Sequence, residues 1–129
     1  MPEQMIYTSY FGKLKKLPSE IVPISICGKA PEWYKGIQYK KLAPKIGFFM
    51  EWKKNHDNQY YIEHFYNEVL ENLNPAYVIG ELYHLSGGKQ FALICYEKPD
   101  DFCHRHLVAE WLKNVGYKAK EYDDLTHYI

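Results

Sequence analysis

The fold of this chain is decided by residues 91–112, FALICYEKPDDFCHRHLVAEWL. Residues 90–95 form a continuous apolar run of strand length, which is typical of a strand buried in a parallel sheet. An amphipathic helix is predicted next, from about Asp100 to Asn114 with Gly116 behind it, and residues 117–123 predict a last strand. Strand, helix and strand at these lengths make a βαβ unit. We therefore expect an α/β fold with a parallel or mostly parallel, Rossmann-like sheet flanked by helices.

The N-terminal third predicts two more strands and one short helix. Residues 5–11 and 20–27 are β-type runs, and Pro23 should delay the start of the second run or place it near a sheet edge. Residues 28–44 contain turn residues with little periodicity, which predicts a long loop with room for one helical turn. Residues 45–54 predict a short helix with Phe49 and Trp52 on one side.

The middle of the chain predicts two amphipathic helices. Residues 57–73 carry apolar side chains at helical spacing. The next helix should be capped by Asn74, begin at Pro75 and end at Gly87 and Gly88. Its predicted inner face consists of Val78, Leu82 and Leu85. No repeat or linker interrupts these elements, so residues 1–129 are expected to form a single α/β domain.

Composition and cysteine usage predict a cytoplasmic protein with no membrane partner. The 129 residues are 47% hydrophobic and 25% charged, as in globular proteins. No signal peptide is visible, and no window approaches the roughly 18 apolar residues of a membrane span. The three cysteines, Cys27, Cys95 and Cys103, lack the spacing of a disulfide framework, so we expect reduced thiols. The sequence does not specify an oligomeric state.

Charge is divided unevenly between the two halves of the chain. Residues 1–54 hold ten lysines against four acidic residues, a formal charge of +6 that residues 55–129 balance. Within residues 29–54, lysines alternate with aromatic residues such as Trp33, Tyr34 and Tyr39. Basic grooves with stacking aromatic rings bind single-stranded nucleic acid. Solvated lysines beside buried aromatic residues explain the same pattern.

Arg105 is the only arginine among fifteen lysines, and it lies in the first turn of the predicted helix. A cation there is disfavoured by about 0.3–1 kcal/mol, because the helix N-terminus carries a partial positive charge. An anionic ligand held by Arg105 and the helix N–H groups would offset this cost, as in phosphate sites. A salt bridge to Asp100, Asp101 or Glu97 would offset it equally well. Both interpretations remain open.

Cys103 and His104 are the candidate catalytic residues. The pKa of a thiol falls at a helix start, so Cys103 is a candidate nucleophile that His104 could activate, although adjacent side chains on a helix diverge. Cys95 ends the preceding strand, at the sheet edge where α/β folds bind ligands. The alternative is that both cysteines are small core residues. A metal site would need Cys95, Cys103 and His104 with a fourth ligand from elsewhere, such as Cys27 or His106. No metal site and no cofactor are predicted, because the close cysteine pairs of structural zinc sites are missing.

These residues carry a resemblance to a known family. The stretch ALICYEKPDDFCHRHLVAEWL resembles the signature of the bacterial and phage family called domain of unknown function 488, in which a strand ending in Cys-Tyr/Phe-Glu precedes Cys-His-Arg at a helix start. The resemblance extends more loosely through ISICGKAPEWYKG and YKKLAPK. It implies the fold and the position of a site, but not a reaction. The Gly-His-Ser and Asp-Val-Arg elements of longer members are replaced here by YTSYFGK and ISICGKA.

Two functions from different classes follow. The first is an anion-binding site for a phosphate-bearing small molecule or a nucleic-acid end, with hydrolytic or transfer chemistry at Cys103. Its predicted residues are Cys95, Glu97, Cys103, His104 and Arg105, with Lys29 adding charge from the end of the second strand. The second is a non-enzymatic module that binds nucleic acid or protein through residues 29–54. In that case the Cys-His-Arg group is structural.

Overall fold

The computed structural model describes residues 4–97 and 101–123. The strands are β1 (Ile6–Tyr10), β2 (Val22–Ser25), β3 (Ile37–Gln38), β4 (Phe91–Cys95) and β5 (Ala119–Glu121). The helices are α1 (Ile46–Asn55), α2 (Asn58–Glu68), α3 (Pro75–Leu85) and α4 (His104–Asn114), with 3-10 turns at Phe11–Lys16, Lys40–Leu42 and Leu70–Asn72. No helix in the two described stretches is long and apolar enough to cross a membrane.

The strands form one parallel sheet in the order β3-β2-β4-β1-β5, with β4 at its centre. Every residue of β4 is buried, as its continuous apolar sequence predicts for a central parallel strand. Because the strands are parallel, the carboxyl ends of β2 and β4 lie side by side at one sheet edge. The prediction of an α/β fold with a parallel sheet flanked by helices is confirmed.

The two faces of the sheet are covered differently. The four helices share one face, where Phe65, Leu82 and Leu112 pack with the alternate strand residues Ile24 and Leu93. The other face is covered by the first 3-10 turn and by the loop after β2, through residues such as Phe11 and Tyr34 that pack against Ala92 and Ile94. Period-two alternation along the strands therefore separates two apolar clusters.

Pro23 is accommodated inside β2 because of the register of β3. Val22 donates its backbone N–H group to Gln90 beside β4, and Ile26 donates to Ile94 of β4. Because backbone groups alternate between the two sides of a strand, Pro23 and Ser25 direct theirs to the β3 side. β3 is only two residues long and pairs with Ile24 and Ser25, so no strand opposes Pro23 on that side. The missing N–H group of proline therefore costs no ladder bond. The predicted late start of the strand, at Val22, is confirmed.

Several boundaries differ from the sequence predictions. β3 interrupts the predicted loop of residues 28–44, and α2 ends at Glu68 and is followed by the 3-10 turn Leu70–Asn72 instead of continuing to residue 73. In α3, the Asn74 side chain caps the helix by accepting from the Tyr77 N–H, as predicted. The inner face uses Ile79 with Val78 and Leu82, whereas Leu85 is 39% exposed, so its assignment to the core was wrong.

The start of α4 also differs. Asp100 lies outside the described residues, and the helix begins at His104, with Phe102 and Cys103 in non-helical backbone before it. Gly116 ends the following turn with φ of 100°, a left-handed conformation that glycine adopts without steric cost. The late start changes which directions the side chains of Cys103 and His104 take.

Candidate functional site

A cavity of about 670 Å³ opens at the carboxyl edge of the sheet, beside the ends of β2 and β4. Cys27 and Lys29 line it from the segment after β2. Cys95 and Glu97 line it at the end of β4, and His104 lines it from the start of α4. The carboxyl edge is where open parallel sheets bind ligands, since the loops after adjacent strands diverge there.

Aromatic rings from α1, α2 and the segment before α4 form one wall of this cavity. Phe49 and Trp52 stack with ring centroids 6.2 Å apart, and Phe102 lies 5.7 Å from the Trp52 ring. Tyr61 contacts Phe102 edge to face at 5.0 Å. Such a wall can accept a planar aromatic group by stacking. The sequence placed Phe49 and Trp52 on one helix side but carried no signal that Phe102 would join them.

Lys53 is a candidate ligand-binding residue that was not predicted from the sequence. It lines the cavity, and its ammonium group lies 5.5 Å from the centroid of the Phe49 ring. Lys29, which was predicted, is exposed and lines the cavity from the β2 side. The hydroxyl of Tyr96 donates to the backbone carbonyl of Lys29 at 2.6 Å, so the ends of β2 and β4 are tied together. Glu97 is exposed at the same edge.

Cys95 and Cys103 are joined by a disulfide bond whose Cα atoms lie 7.4 Å apart. Both residues are buried at the cavity. The expectation of reduced thiols was wrong for this pair, because Cys103, directly before α4, brings its sulfur against that of Cys95 at the end of β4. Cys27 is the free cysteine of the described residues, and it is buried. Its Sγ lies 3.1 Å from the Ser25 hydroxyl, and burial raises the pKa of the thiol.

His104 is buried, and its two ring nitrogens have different surroundings. Nε2 lies 2.7 Å from the carbonyl oxygen of Ile26, which can only accept, so Nε2 carries the proton. Nδ1 therefore keeps its lone pair, and it lies 3.9 Å from the Cys103 sulfur. Burial lowers the pKa of His104 to about 4, an effect reinforced by Arg105 and His106 and opposed by the bond to Ile26. The imidazole is therefore neutral at pH 7.

Cys103 and His104 converge although they are adjacent in sequence. Cys103 is the N-cap of α4, with an extended backbone at φ −156° and ψ 143°, so its side chain does not follow the helical spiral. The expectation that the two side chains diverge assumed a helix that had already begun at residue 100. The Cys103 side chain makes no capping hydrogen bond to α4. By contrast, α2 and α3 are capped by Asp57 and Asn74.

Arg105 is fully buried and bonded within the protein. Its Nε and NH2 donate to the two carboxylate oxygens of Glu121 at 3.0 and 2.9 Å, the bidentate geometry that stabilises such pairs. NH1 donates to the backbone oxygen of Glu97 at 2.7 Å and to the Cys95 sulfur at 3.4 Å. The guanidinium group does not line the cavity.

The carboxylate that pairs with Arg105 belongs to Glu121, which was not among the expected partners Asp100, Asp101 and Glu97. Of those three, Asp100 lies outside the described residues, and Glu97 accepts through its backbone oxygen. A carboxylate does offset the cation, as the salt-bridge interpretation requires, but it comes from β5. Thr8 donates its hydroxyl to the same carboxylate at 2.6 Å, and the Tyr10 ring lies 5.7 Å from the guanidinium carbon. The sequence holds no local signal for this contact, since Glu121 lies 16 residues from Arg105.

The aromatic residues of the basic segment 29–54 differ in exposure. Tyr34 and Tyr39 are buried, so their rings are not free to stack on a ligand, whereas Trp33 is 62% exposed. Lys41 forms an ion pair with Glu81 at 3.1 Å. Nucleic-acid or protein binding by this segment stays a prediction.

One trio of side chains in residues 4–97 and 101–123 has the arrangement of metal ligands. The sulfurs of Cys95 and Cys103 and a ring nitrogen of His104 all lie within 4.8 Å of one another. All three residues are buried, and all three line the cavity. The prediction of no metal site relied on spacing along the chain. The three residues are those that the metal alternative required, and spacing argued against them because one comes from the end of a strand and two from the next helix start.

Comparison with protein-family models identifies the family of this chain. The model DUF488-N3a, described as the active DUF488-N3 subclade, matches residues 10–116. The chain belongs to the DUF488 family. The expected resemblance is thereby confirmed for most of the chain. No significant match was found among curated proteins or among solved structures.

The DUF488 match includes all the predicted site residues, from Lys29 to Arg105. It ends before Glu121, the carboxylate that pairs with Arg105. The match identifies the family of the chain, and the role of the site residues has to be argued from the cavity itself.

Proposed function

We propose that this chain is an enzyme that binds a nucleotide or a nucleic-acid end in the cavity at the carboxyl edge of the sheet. The observation that carries the proposal is the composition of the cavity wall, which combines stacked aromatic rings with two lysines, Lys53 beside the Phe49 ring and Lys29 from the β2 side. The rings suit a nucleobase. Lys29 and Lys53 suit a phosphate, and the start of α4, where the Cys103 side chain makes no capping bond, adds backbone N–H groups and a partial positive charge.

The chemistry assigned to the bound ligand is hydrolysis or group transfer at the wall formed by Cys95, Cys103 and His104. Once the disulfide is reduced, Cys103 can act as the nucleophile, and His104 beside it is neutral with a free Nδ1 lone pair. Cys27 is also buried at the cavity, but burial raises the pKa of its thiol. Lys29, and not Arg105, is proposed to bind the anionic group of the ligand, because the guanidinium group of Arg105 is bonded to Glu121. Arg105 then acts by fixing the end of β4.

The test uses the fluorescence of Trp52, which lines the cavity, in a chain where Trp33 and Trp111 are replaced by Phe. Nucleoside monophosphates, phosphorylated dinucleotides and inorganic phosphate are titrated. We expect Lys29→Gln to weaken nucleotide binding about tenfold, since a hydrogen bond to a charged group contributes about 1.5–3 kcal/mol. Binding of the nucleoside without phosphate should stay unchanged.

Lys35→Gln is the matched control, because Lys35 is exposed in the same segment and does not line the cavity. The proposal fails if none of the ligands changes the Trp52 signal. It also fails if Lys29→Gln and Lys35→Gln weaken nucleotide binding equally, since the effect of Lys29 would then not depend on its position at the cavity.

A further inference from the structure

We infer that the reduced chain binds a zinc ion through Cys95, Cys103 and His104. The first observation is the grouping of the three ligand atoms within 4.8 Å, at a buried position on the cavity wall. Two thiolates and one imidazole are ligands that zinc prefers. The inference concerns these three side chains and does not depend on which ligand the cavity takes.

The orientation of His104 is the second observation. Its Nε2–H donates to the Ile26 carbonyl oxygen at 2.7 Å, which fixes both the tautomer and the ring plane. Metal-binding histidines almost always have such a bond on the nitrogen that does not bind the metal. The lone pair on Nδ1 is thereby directed at the sulfur of Cys103, 3.9 Å away. The imidazole therefore already has the tautomer and orientation that a metal ligand needs.

Cys95 has a supporting contact of its own. Arg105 donates from NH1 to the Cys95 sulfur at 3.4 Å, and its position is fixed by the Glu121 carboxylate. A cationic donor of this kind stabilises a thiolate over a thiol. Supporting bonds are therefore in place for two of the three ligands, Cys95 and His104. This gives the buried Arg105 a positioning role at the site.

The backbone spacing is compatible with two sulfurs on one ion. The Cα atoms of Cys95 and Cys103 lie 7.4 Å apart, whereas disulfides usually join Cα atoms about 4.4–6.8 Å apart. Zinc–sulfur bonds are about 2.3 Å long, so two thiolates on a tetrahedral ion keep their sulfurs well beyond bonding distance. The disulfide and the zinc complex thus exclude each other. Reduction is required before the ion can bind.

Three protein ligands leave the fourth position of a tetrahedral zinc ion open, which is the arrangement of catalytic sites. All three proposed ligands line the cavity, so that position would face the cavity and accept water or a ligand atom. Cys27 is not part of the set, although it lines the same cavity. It therefore supplies a matched control within the same chain.

The test uses the full chain, reduced without oxygen by a water-soluble phosphine. The phosphine takes an oxygen atom from water and becomes the phosphine oxide, and the disulfide becomes two thiols, each of which loses a proton when the metal binds. Cobalt(II) is then added as a spectroscopic substitute for zinc. We expect one equivalent to give thiolate-to-cobalt charge-transfer absorption and the intense visible bands of a tetrahedral site. Zinc should displace the cobalt and abolish both.

The variants decide which residues are responsible. Cys27→Ser should keep the cobalt spectrum, whereas Cys103→Ser and His104→Gln should lose it, and the oxidised wild type should not develop it. The inference is overturned if the reduced wild type gives no tetrahedral spectrum, if the oxidised chain binds cobalt equally well, or if Cys27→Ser removes the signal. Wild type and Cys27→Ser alone are sufficient for this decision if the other two variants do not fold.

Discussion

His104 and Arg105 are neighbours at the start of α4 and are buried almost equally, at 6% and 0% exposure, yet they are bonded very differently. Arg105 donates through Nε, NH1 and NH2 to acceptors on β5 and at the end of β4. His104 uses Nε2 for one carbonyl and turns Nδ1 toward a cavity-lining sulfur. Two side chains that are almost equally buried can therefore differ in bonding. The donors of Arg105 are used within the protein, whereas Nδ1 of His104 keeps a lone pair at the cavity.

The largest expected effect is on the Arg105 side of this comparison. Glu121→Ala leaves a buried guanidinium group without its carboxylate, and breaking a buried pair in this way costs about 3–5 kcal/mol. We expect the lower end, because the Glu121 side chain is 23% exposed. Urea unfolding at pH 7 measures the loss. Glu110→Gln, an exposed change on α4, should alter the unfolding free energy by no more than about 0.5 kcal/mol.

Arg105→Lys separates folding from ligand binding. Lysine keeps the charge but loses the planar fork that pairs with both oxygens of Glu121, so the unfolding free energy should fall. At a temperature where this variant is folded, its affinity for a nucleotide should stay within about twofold of wild type, since the guanidinium group does not line the cavity. A loss of affinity as large as that of Lys29→Gln would contradict the assigned division of roles.

The next effect is on the His104 side and depends on pH. Burial lowers the pKa of His104 to about 4, whereas an unfolded histidine has a pKa of about 6.5. Between these values only the unfolded chain binds the proton, so the stabilising contribution is complete above pH 6.5 and is lost as the pH falls to 4. The total is roughly 3 kcal/mol at about 1.4 kcal/mol per pH unit.

His104→Gln provides the comparison, because its amide can donate to Ile26 without titrating. Urea unfolding of the metal-free, disulfide-bonded chains at pH 7, 5.5 and 4.5 should show wild type losing its advantage over the variant as the pH falls. Carboxylates that titrate in the same range are common to both chains, and Arg105 and His106, which face the imidazole, are also unchanged. Parallel pH profiles would contradict the assignment.

The sequence predicted much of the fold because the signals involved are local. The apolar run of β4, the Asn74 cap and the glycines after α3 and α4 act within a few residues. β3 was not predicted, because a strand of two residues is too short to show an alternation of apolar and polar side chains. They form a strand only because they pair with Ile24 and Ser25 of β2.

The candidate site was predictable in its position but not in its bonding. Cys95 and Cys103 were placed at the sheet edge, since the carboxyl end of a parallel strand leads into the next helix. Their bond to each other, and the pairing of Arg105 with Glu121, depend on where the start of α4 lies relative to the end of β4 and to β5. Such distant contacts leave no pattern in a single sequence. The aromatic wall was missed for the same reason.

A smaller effect compares the capped start of α3 with the start of α4. Asn74→Ala removes the side-chain acceptor for the Tyr77 N–H, which lies 3.1 Å away, and should lower the unfolding free energy by about 1 kcal/mol. Nucleotide affinity should not change, because Asn74 does not line the cavity. Thermal unfolding combined with the Trp52 titration measures both quantities. A change in affinity would show that the two helix starts are coupled.

The smallest expected effect is at the surface. Lys41→Gln removes an ion pair with Glu81 whose lysine side chain is 54% exposed, and the unfolding free energy should change by less than about 1 kcal/mol. Because salt screens exposed charges, the effect should shrink further in high salt. Chemical unfolding at low and high ionic strength checks this. A larger loss would mean that charge outside the α4 start also supports the fold.

The sheet has very short outer strands, two residues in β3 and three in β5. An outer strand offers its unpaired N–H and C=O groups as a template for another chain, and a long one invites aggregation. Here each border presents only a few such groups, and the neighbouring β2 carries a proline facing the β3 side. At high concentration, lateral growth of the sheet into fibres should therefore be disfavoured even though its centre is strongly apolar.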